Sequence, residues 1–228
     1  MTADDDRHSI AQRPEVIESD AERAPIEAAN ALQQFDAVLD EIDKVARDGL
    51  PFRLRPSLIL GLHRIALQNL SSFAGVFRPG PVSIGKSKHS PPDAHLVAEL
   101  VEQMCDWINE NLDKPPLELC AYAMWRLNWI HPFEDGNGRT SRAVSYLVLC
   151  SVLGDRLPGR KTIPEQIAEN KKPYYEALEK ADEAWADGQL DLSVMVGLLE
   201  GYLATQLKSV FDQASMPNDA KSADRRFH

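Results

Sequence analysis

His131-Pro132-Phe133-Glu134-Asp135-Gly136-Asn137-Gly138-Arg139-Thr140-Ser141-Arg142 is the stretch from which the rest of the chain is best read. Gly136 and Gly138 can take positive φ and let a ligand come close, so successive amide N–H groups can point into one concavity and form an anion-binding nest. From Arg139 to Cys150 there is neither glycine nor proline. The nest therefore opens into a helix, whose unpaired N–H groups and positive dipole end face the same anion. Arg139 and Arg142, three apart, share a helix face, and their planar forks suit phosphate oxygens. Asp135 is a hard carboxylate suited to a Mg²⁺ that also binds phosphate. His131 has an unperturbed pKa near neutrality and is the natural general base. These parts describe positioning and charge stabilisation for phosphoryl or nucleotidyl transfer.

The flanking sequence predicts how this loop is held. Upstream, Leu117, Cys120, Ala121, Met124, Leu127 and Ile130 recur at helical spacing after Pro115 and Pro116, since proline is tolerated in a first turn. Pro132 disfavours helical geometry at His131, so that helix should end there and leave the imidazole at a loop mouth. Downstream, Ala143, Val144, Leu147, Val148, Leu149, Cys150, Val152 and Leu153 leave no polar face, which marks a central, buried helix.

Further out, apolar periodicity predicts helices from Pro25 to Gly49, from Pro56 to Leu70, over Leu96 to about Asn109, from Tyr174-Tyr175 through Trp185, and over Leu192 to Phe211. Between Ser71 and Pro92 turn residues flank short β-branched pieces, including Val82-Ser83-Ile84-Gly85, which suggests a small hairpin or extended flap. The expected fold class is therefore all-α, with a short β-hairpin flap near the loop. The expected organisation is a disordered acidic segment over residues 1–20, an N-terminal helix over 21–54 packing on the core, a main domain over 55–213 and a flexible tail over 214–228. Lone histidines such as His63 and His89, and the tyrosine pair, read more readily as packing than as chemistry.

The net charge of −10 argues against a protein that coats nucleic acid. Cys105, Cys120 and Cys150 show no metal-ligand spacing and read as buried small hydrophobes. No apolar run is long enough to span a bilayer and the N-terminus lacks signal-peptide features, so a cytoplasmic protein without a membrane partner is expected.

The central stretch matches the HxFx(D/E)GNGRxxR signature of the Fic family at every fixed position, and the chain resembles that family. The resemblance implies a Fic-type helical bundle that transfers AMP from ATP, with Mg²⁺, to a Tyr, Thr or Ser hydroxyl of a target protein. It implies His131 as base, Phe133 as buried anchor, Asp135 as Mg²⁺ ligand, and Gly136, Asn137, Gly138, Arg139 and Arg142 as phosphate-binding residues. Members that phosphorylate instead carry another residue where this chain has Gly138, which favours AMP transfer. Tyr174 and Tyr175 correspond to a pair that borders the nucleotide in some relatives. Asp182 stands where an asparagine often reaches the base or ribose. Val82, Ser83, Ile84 and Gly85 correspond to the flap that pairs with the target by strand addition.

Many relatives carry an inhibitory (S/T)xxxE(G/N) element whose glutamate pairs with the final arginine. Arg23-Ala24-Pro25-Ile26-Glu27-Ala28 lacks both flanking residues but keeps Glu27, the candidate inhibitory residue, with Arg142 as its expected partner. Two alternatives stay open. One is transfer or removal of another nucleotide moiety; the other is a nucleotide-sensing or protein-binding module with suppressed turnover. Oligomeric state, including a homo-oligomer, is equally open.

Overall fold

The computed structural model describes residues 9–10, 16, 19–49 and 51–215. Among these, eight α-helices run in the order α1 (Asp20–Asp48), α2 (Pro56–Leu67), α3 (Val97–Glu110), α4 (Pro116–Ile130), α5 (Asn137–Leu153), α6 (Ile163–Glu169), α7 (Lys172–Ala186) and α8 (Ser193–Ser215). A 3₁₀ turn at Ala94–Leu96 leads into α3. The two strands are β1 (Ser9–Ile10) and β2 (Ser83–Ile84). The all-α bundle is as expected.

The centre is α5, packed against α4 and flanked by α1 and α2. Val144, Leu147, Val148, Leu149 and Cys150 of α5 are fully buried, as are Leu119 to Ala121 and Ala123 to Trp125 of α4. Burying an aliphatic side chain contributes roughly 1.5–3 kcal/mol, so this layered contact fixes both ends of the loop between α4 and α5. All three cysteines are free and buried, and burial pushes the Cys105 thiol up to about 12, consistent with inert packing.

α1 starts five residues earlier than its periodicity indicates, with Pro25 inside it. It ends at Gly49 in the left-handed conformation, φ 61°, the usual helix stop. Polar side chains, not only apolar ones, dock α1 on α2. Asn30 Nδ2 donates to the carbonyls of Ala66 and Gln68 at 3.3 and 2.8 Å, and Gln34 Nε2 donates to Leu62 O at 3.0 Å. The two Asn30 bonds satisfy main-chain oxygens at the end of α2. α6 has no counterpart in the periodicity. Its signal is the capping box of Thr162 and Glu165 with proline in its first turn.

The flap takes the extended alternative rather than a hairpin. β2 pairs antiparallel with β1, Ser9 opposite Ile84 and Ile10 opposite Ser83. Ser9 and Ile10 thus lie in a strand inside the segment expected to be disordered. The remainder of that expectation, save Val16, Ser19 and Asp20, and the tail beyond Ser215 fall outside the described residues.

Candidate active site

α4 ends where Pro132 requires. His131 adopts the left-handed conformation, φ 50°, ψ 59°, which turns the chain out of the helix while its N–H still bonds Leu127 O at 2.9 Å. The imidazole is buried, 5% exposed, with Nδ1 at 3.3 Å from Asn128 O. A carbonyl only accepts, so Nδ1 carries the proton in this contact.

Behind His131 stands a residue the sequence did not single out. Arg78, 2% exposed, donates from Nε to His131 O at 2.8 Å and from Nη1 to Gly80 O at 2.9 Å, and its Nη2 bonds Pro92 O. Its own N–H donates to Pro132 O at 2.9 Å. One buried guanidinium therefore joins the flap to the His131 loop. Burial pulls its pKa down, opposed by the charge of Asp93. Arginine is required here because only its fork reaches three carbonyls in different directions.

Phe133 is the anchor expected of it. It is 0% exposed and its ring stacks on His63 at 3.6 Å between centroids and 5° between planes. His63 is itself structural: Nδ1 accepts from Gly75 N at 2.9 Å and Nε2 donates to Asp135 O at 3.0 Å. Burial lowers its pKa to about 4, partly offset by Asp135 and reinforced by Arg139. Asn137 Oδ1 accepts from Phe133 N at 2.9 Å and Nδ2 donates to Phe133 O at 2.8 Å. Its amide thus holds the loop's shape as well as bordering the cavity.

Gly136 has φ +76°, and a Cβ there would lie 2.4 Å from Leu67 Cδ2; no other residue fits. At Gly138 a Cβ would meet Arg142 Nη1 at 3.4 Å, an ordinary contact, so a longer side chain would contend with a ligand for the space above the nest. Gly136, Asn137, Gly138 and Arg139, the cap and first residues of α5, line the cavity, at the positive end of that helix.

These elements line one cavity of about 570 Å³, which gathers His131, Asp135, Gly136, Asn137, Gly138, Arg139, Arg142, Tyr174, Tyr175, Ile84 and Glu27. Asn128 belongs to it too and was not anticipated. Its Nδ2 lies at 2.7 Å from Tyr174 OH and 2.8 Å from Ser141 Oγ, which ties α4, α5 and α7 together beneath the pocket. Of the flap residues, Ile84 reaches the cavity, while Val82, Ser83 and Gly85 do not line it. Asp182 is not brought to it either. Its carboxylate accepts from Trp125 Nε1 at 2.9 Å and borders a separate groove with His89. A Trp one helix away competes for it, which spacing along α7 alone could not disclose. His89 Nε2 bonds Trp129 O at 2.7 Å, a structural role.

Across the mouth lies a four-membered ionic ring. Glu27 Oε1 meets Arg139 Nη1 at 3.2 Å and Arg23 Nε at 3.0 Å. Asp135 Oδ2 meets Arg23 Nη2 at 2.7 Å and Arg139 Nη2 at 3.2 Å. The Glu27 pair recorded here is with Arg139, one turn before the expected Arg142. Burial acts to raise the Asp135 pKa, but Arg139, the Gly136 N–H at 2.6 Å and Arg23 outweigh it and hold the carboxyl below its usual range. The four side chains are 18–46% exposed, so each pair contributes less than about 1 kcal/mol.

A family model described as the Fic/DOC family matches residues 53–149. The protein adenylyltransferase fic-1 of Caenorhabditis elegans is 33% identical over 129 residues, 54% of this chain and 23% of that protein. Protein adenylyltransferase Fic of Drosophila virilis is 30% identical over 180 residues, 77% of this chain and 35% of that protein. The chain thus spans about a quarter to a third of the curated relatives' length. Among solved structures, Fic-1 (residues 134–508) of C. elegans superposes with a TM-score of 0.63 at 23% identity, covering 83% of this chain and 53% of that one. A Fic family protein of Desulfovibrio desulfuricans G20 does so with a TM-score of 0.59 at 22% identity, covering 85% and 55%. These two share the fold.

Proposed function

The chain belongs to the Fic family, and on that premise we propose that it is a protein adenylyltransferase, moving AMP from ATP to a hydroxyl side chain of a target protein. The observation that carries this is His131, its Nδ1 turned to Asn128 O, on the wall of the same cavity as the Gly136–Gly138 nest and the two arginines. The nest and the α5 N-terminus hold phosphate oxygens. Arg139 and Arg142 neutralise charge developing at phosphorus. Nε2 of His131 takes the proton from the attacking hydroxyl, and pyrophosphate departs.

Asp135 suits Mg²⁺, which needs only one or two carboxylates when substrate phosphates supply the rest. Among the described residues no cluster of three or more acidic, His or Cys side chains competes for a metal. When bound, Mg²⁺ supplies charge neutralisation at the phosphates. Tyr174 and Tyr175 form the wall away from the phosphate end, where a base or ribose would sit. A target strand would add at the edge of β2 that β1 takes in this structure.

The ionic ring favours a second reading, a nucleotide-binding module with restrained turnover, because Asp135 and Arg139 are both engaged from α1. Intact-protein mass spectrometry after incubating wild type, Glu27→Gly and His131→Ala with ATP and Mg²⁺ separates the two. An added AMP on wild type or Glu27→Gly, absent from His131→Ala, is expected. No adduct on the chain or on added protein acceptors, with ATP binding intact, would favour the second reading.

A further inference from the structure

Asp182, whose spacing matched a base-reading position, gives its carboxylate to Trp125 instead, so recognition of the base falls to other side chains of the cavity. Beside the tyrosine pair stands Asn128, in the last turn of α4. Its amide has one chemically consistent orientation. Nδ2 donates to the main-chain carbonyl of Met124 at 2.7 Å and lies 2.7 Å from the Tyr174 hydroxyl and 2.8 Å from that of Ser141. A carbonyl only accepts, so turning the amide over would set oxygen against oxygen. The two amide hydrogens are thus committed to groups of the protein, on one side of the side chain. Among the described residues nothing donates to Oδ1 on the other side. Oδ1 is not one of the shut-in polar atoms, and Asn128, half-buried, lines the cavity with Tyr174, Tyr175 and Leu178.

We propose that Asn128 reads the base of the donor nucleotide: its Oδ1 accepts a hydrogen bond from the exocyclic amine of an adenine, and the cavity thereby selects a 6-amino purine. This rests on the nucleotide-binding part of the adenylyl-transfer reading above. A purine with hydrogen at that position leaves Oδ1 without a donor once the base has displaced water, and a keto oxygen there adds repulsion between two acceptors. A site built on such a bond rejects the analogue lacking it more strongly than an apolar wall rejects a change of size. The main-chain oxygen of the same residue lies 3.3 Å from His131 Nδ1. One residue at the end of α4 therefore holds both the base end of the nucleotide and the imidazole.

The test is calorimetric titration of the full chain, in the presence of Mg²⁺, with ATP, purine riboside triphosphate and inosine triphosphate, on wild type and Asn128→Ala. Wild type is expected to bind ATP about tenfold more tightly than either analogue, and Asn128→Ala to bring the three to within about twofold of one another. The ratio is the readout, because loss of the Nδ2 contacts to Tyr174 and Ser141 weakens all three alike. Equal affinities in wild type, a comparison that needs no variant to fold, overturn the assignment, as does an undiminished ratio in Asn128→Ala. A wild-type penalty for 2′-deoxy- or 3′-deoxy-ATP that vanishes in Asn128→Ala also overturns it, giving Oδ1 to a ribose hydroxyl instead. Adenylyl transfer stands or falls separately, on the AMP adduct lost in His131→Ala. An ATP preference that depends on Asn128, in a chain that transfers nothing, keeps the Asn128 assignment and removes only the transfer reading. Binding of none of the three nucleotides removes both.

Discussion

Glu27 of α1 meets Arg139 of the phosphate nest at 3.2 Å, while Arg139 also holds Asp135 from its other nitrogen at the same distance. A guanidinium needed for phosphate is thus committed to a carboxylate from outside the loop. Glu27→Gln keeps the side chain's size and removes its charge. Since a half-exposed pair contributes up to about 1 kcal/mol, ATP with Mg²⁺ should bind about two- to fivefold more tightly. Calorimetric titration giving equal or weaker affinity would refute restraint through this contact.

Arg23 competes directly with a divalent cation for Asp135. Arg23→Ala should therefore lower, by about severalfold, the free Mg²⁺ giving half-maximal transfer. The same change affects acid stability. A depressed carboxylate pKa contributes stability above the unfolded-state value, lost as pH falls through the folded value. With Arg23 gone the depression shrinks, so the Asp135 contribution becomes smaller and is lost at higher pH. An unaltered Mg²⁺ profile in the variant would rule this competition out.

His63 predicts a pH dependence of the opposite kind of group. Its folded pKa of about 4 lies below the ordinary histidine value of 6.5. The unfolded chain therefore takes up a proton first as pH falls, and stability fully present above about 6.5 drains away toward pH 4, by on the order of 3 kcal/mol. Thermal melts between pH 7 and 4.5 should fall less steeply for His63→Phe, which keeps the stack on Phe133 without a titrating group. Parallel slopes for the two proteins would contradict the assignment.

Arg78 should behave as a positioning residue rather than one that touches substrate. Arg78→Met leaves the carbonyls of His131, Gly80 and Pro92 without their donor and should cost roughly 2–4 kcal/mol of stability. Transfer rate should drop by about tenfold or more, while ATP affinity changes by less than about threefold. Loss of ATP affinity in step with rate would point to collapse of the whole pocket.

Much of this site was readable before any coordinates, because its chemistry is local. One loop and one helix start supply His131, Asp135, the glycines and both arginines within a single contiguous stretch, and Pro132 alone sets the turn at His131. What escaped was what the three-dimensional partners decide. Arg78 looks like a solvated charge until three carbonyls from separate segments converge on it. Asp182 has the right spacing for the pocket, but Trp125 claims its carboxylate. Arg23 reads as a surface residue because its partner lies 112 positions away. α6 is too short for periodicity and is disclosed by its capping box instead. β1 is two residues long, below what any pattern of alternation can reveal.

Pro25 gives the ring a property that the ion pairs alone do not. Proline has no N–H to offer the preceding turn and crowds the carbonyl four residues back, so the turn of α1 that carries Arg23 lacks one helical hydrogen bond to the part of the helix anchored by Asn30 and Gln34. Arg23 lies before Pro25 and Glu27 after it, so the two α1 side chains of the ring stand on either side of the missing hydrogen bond.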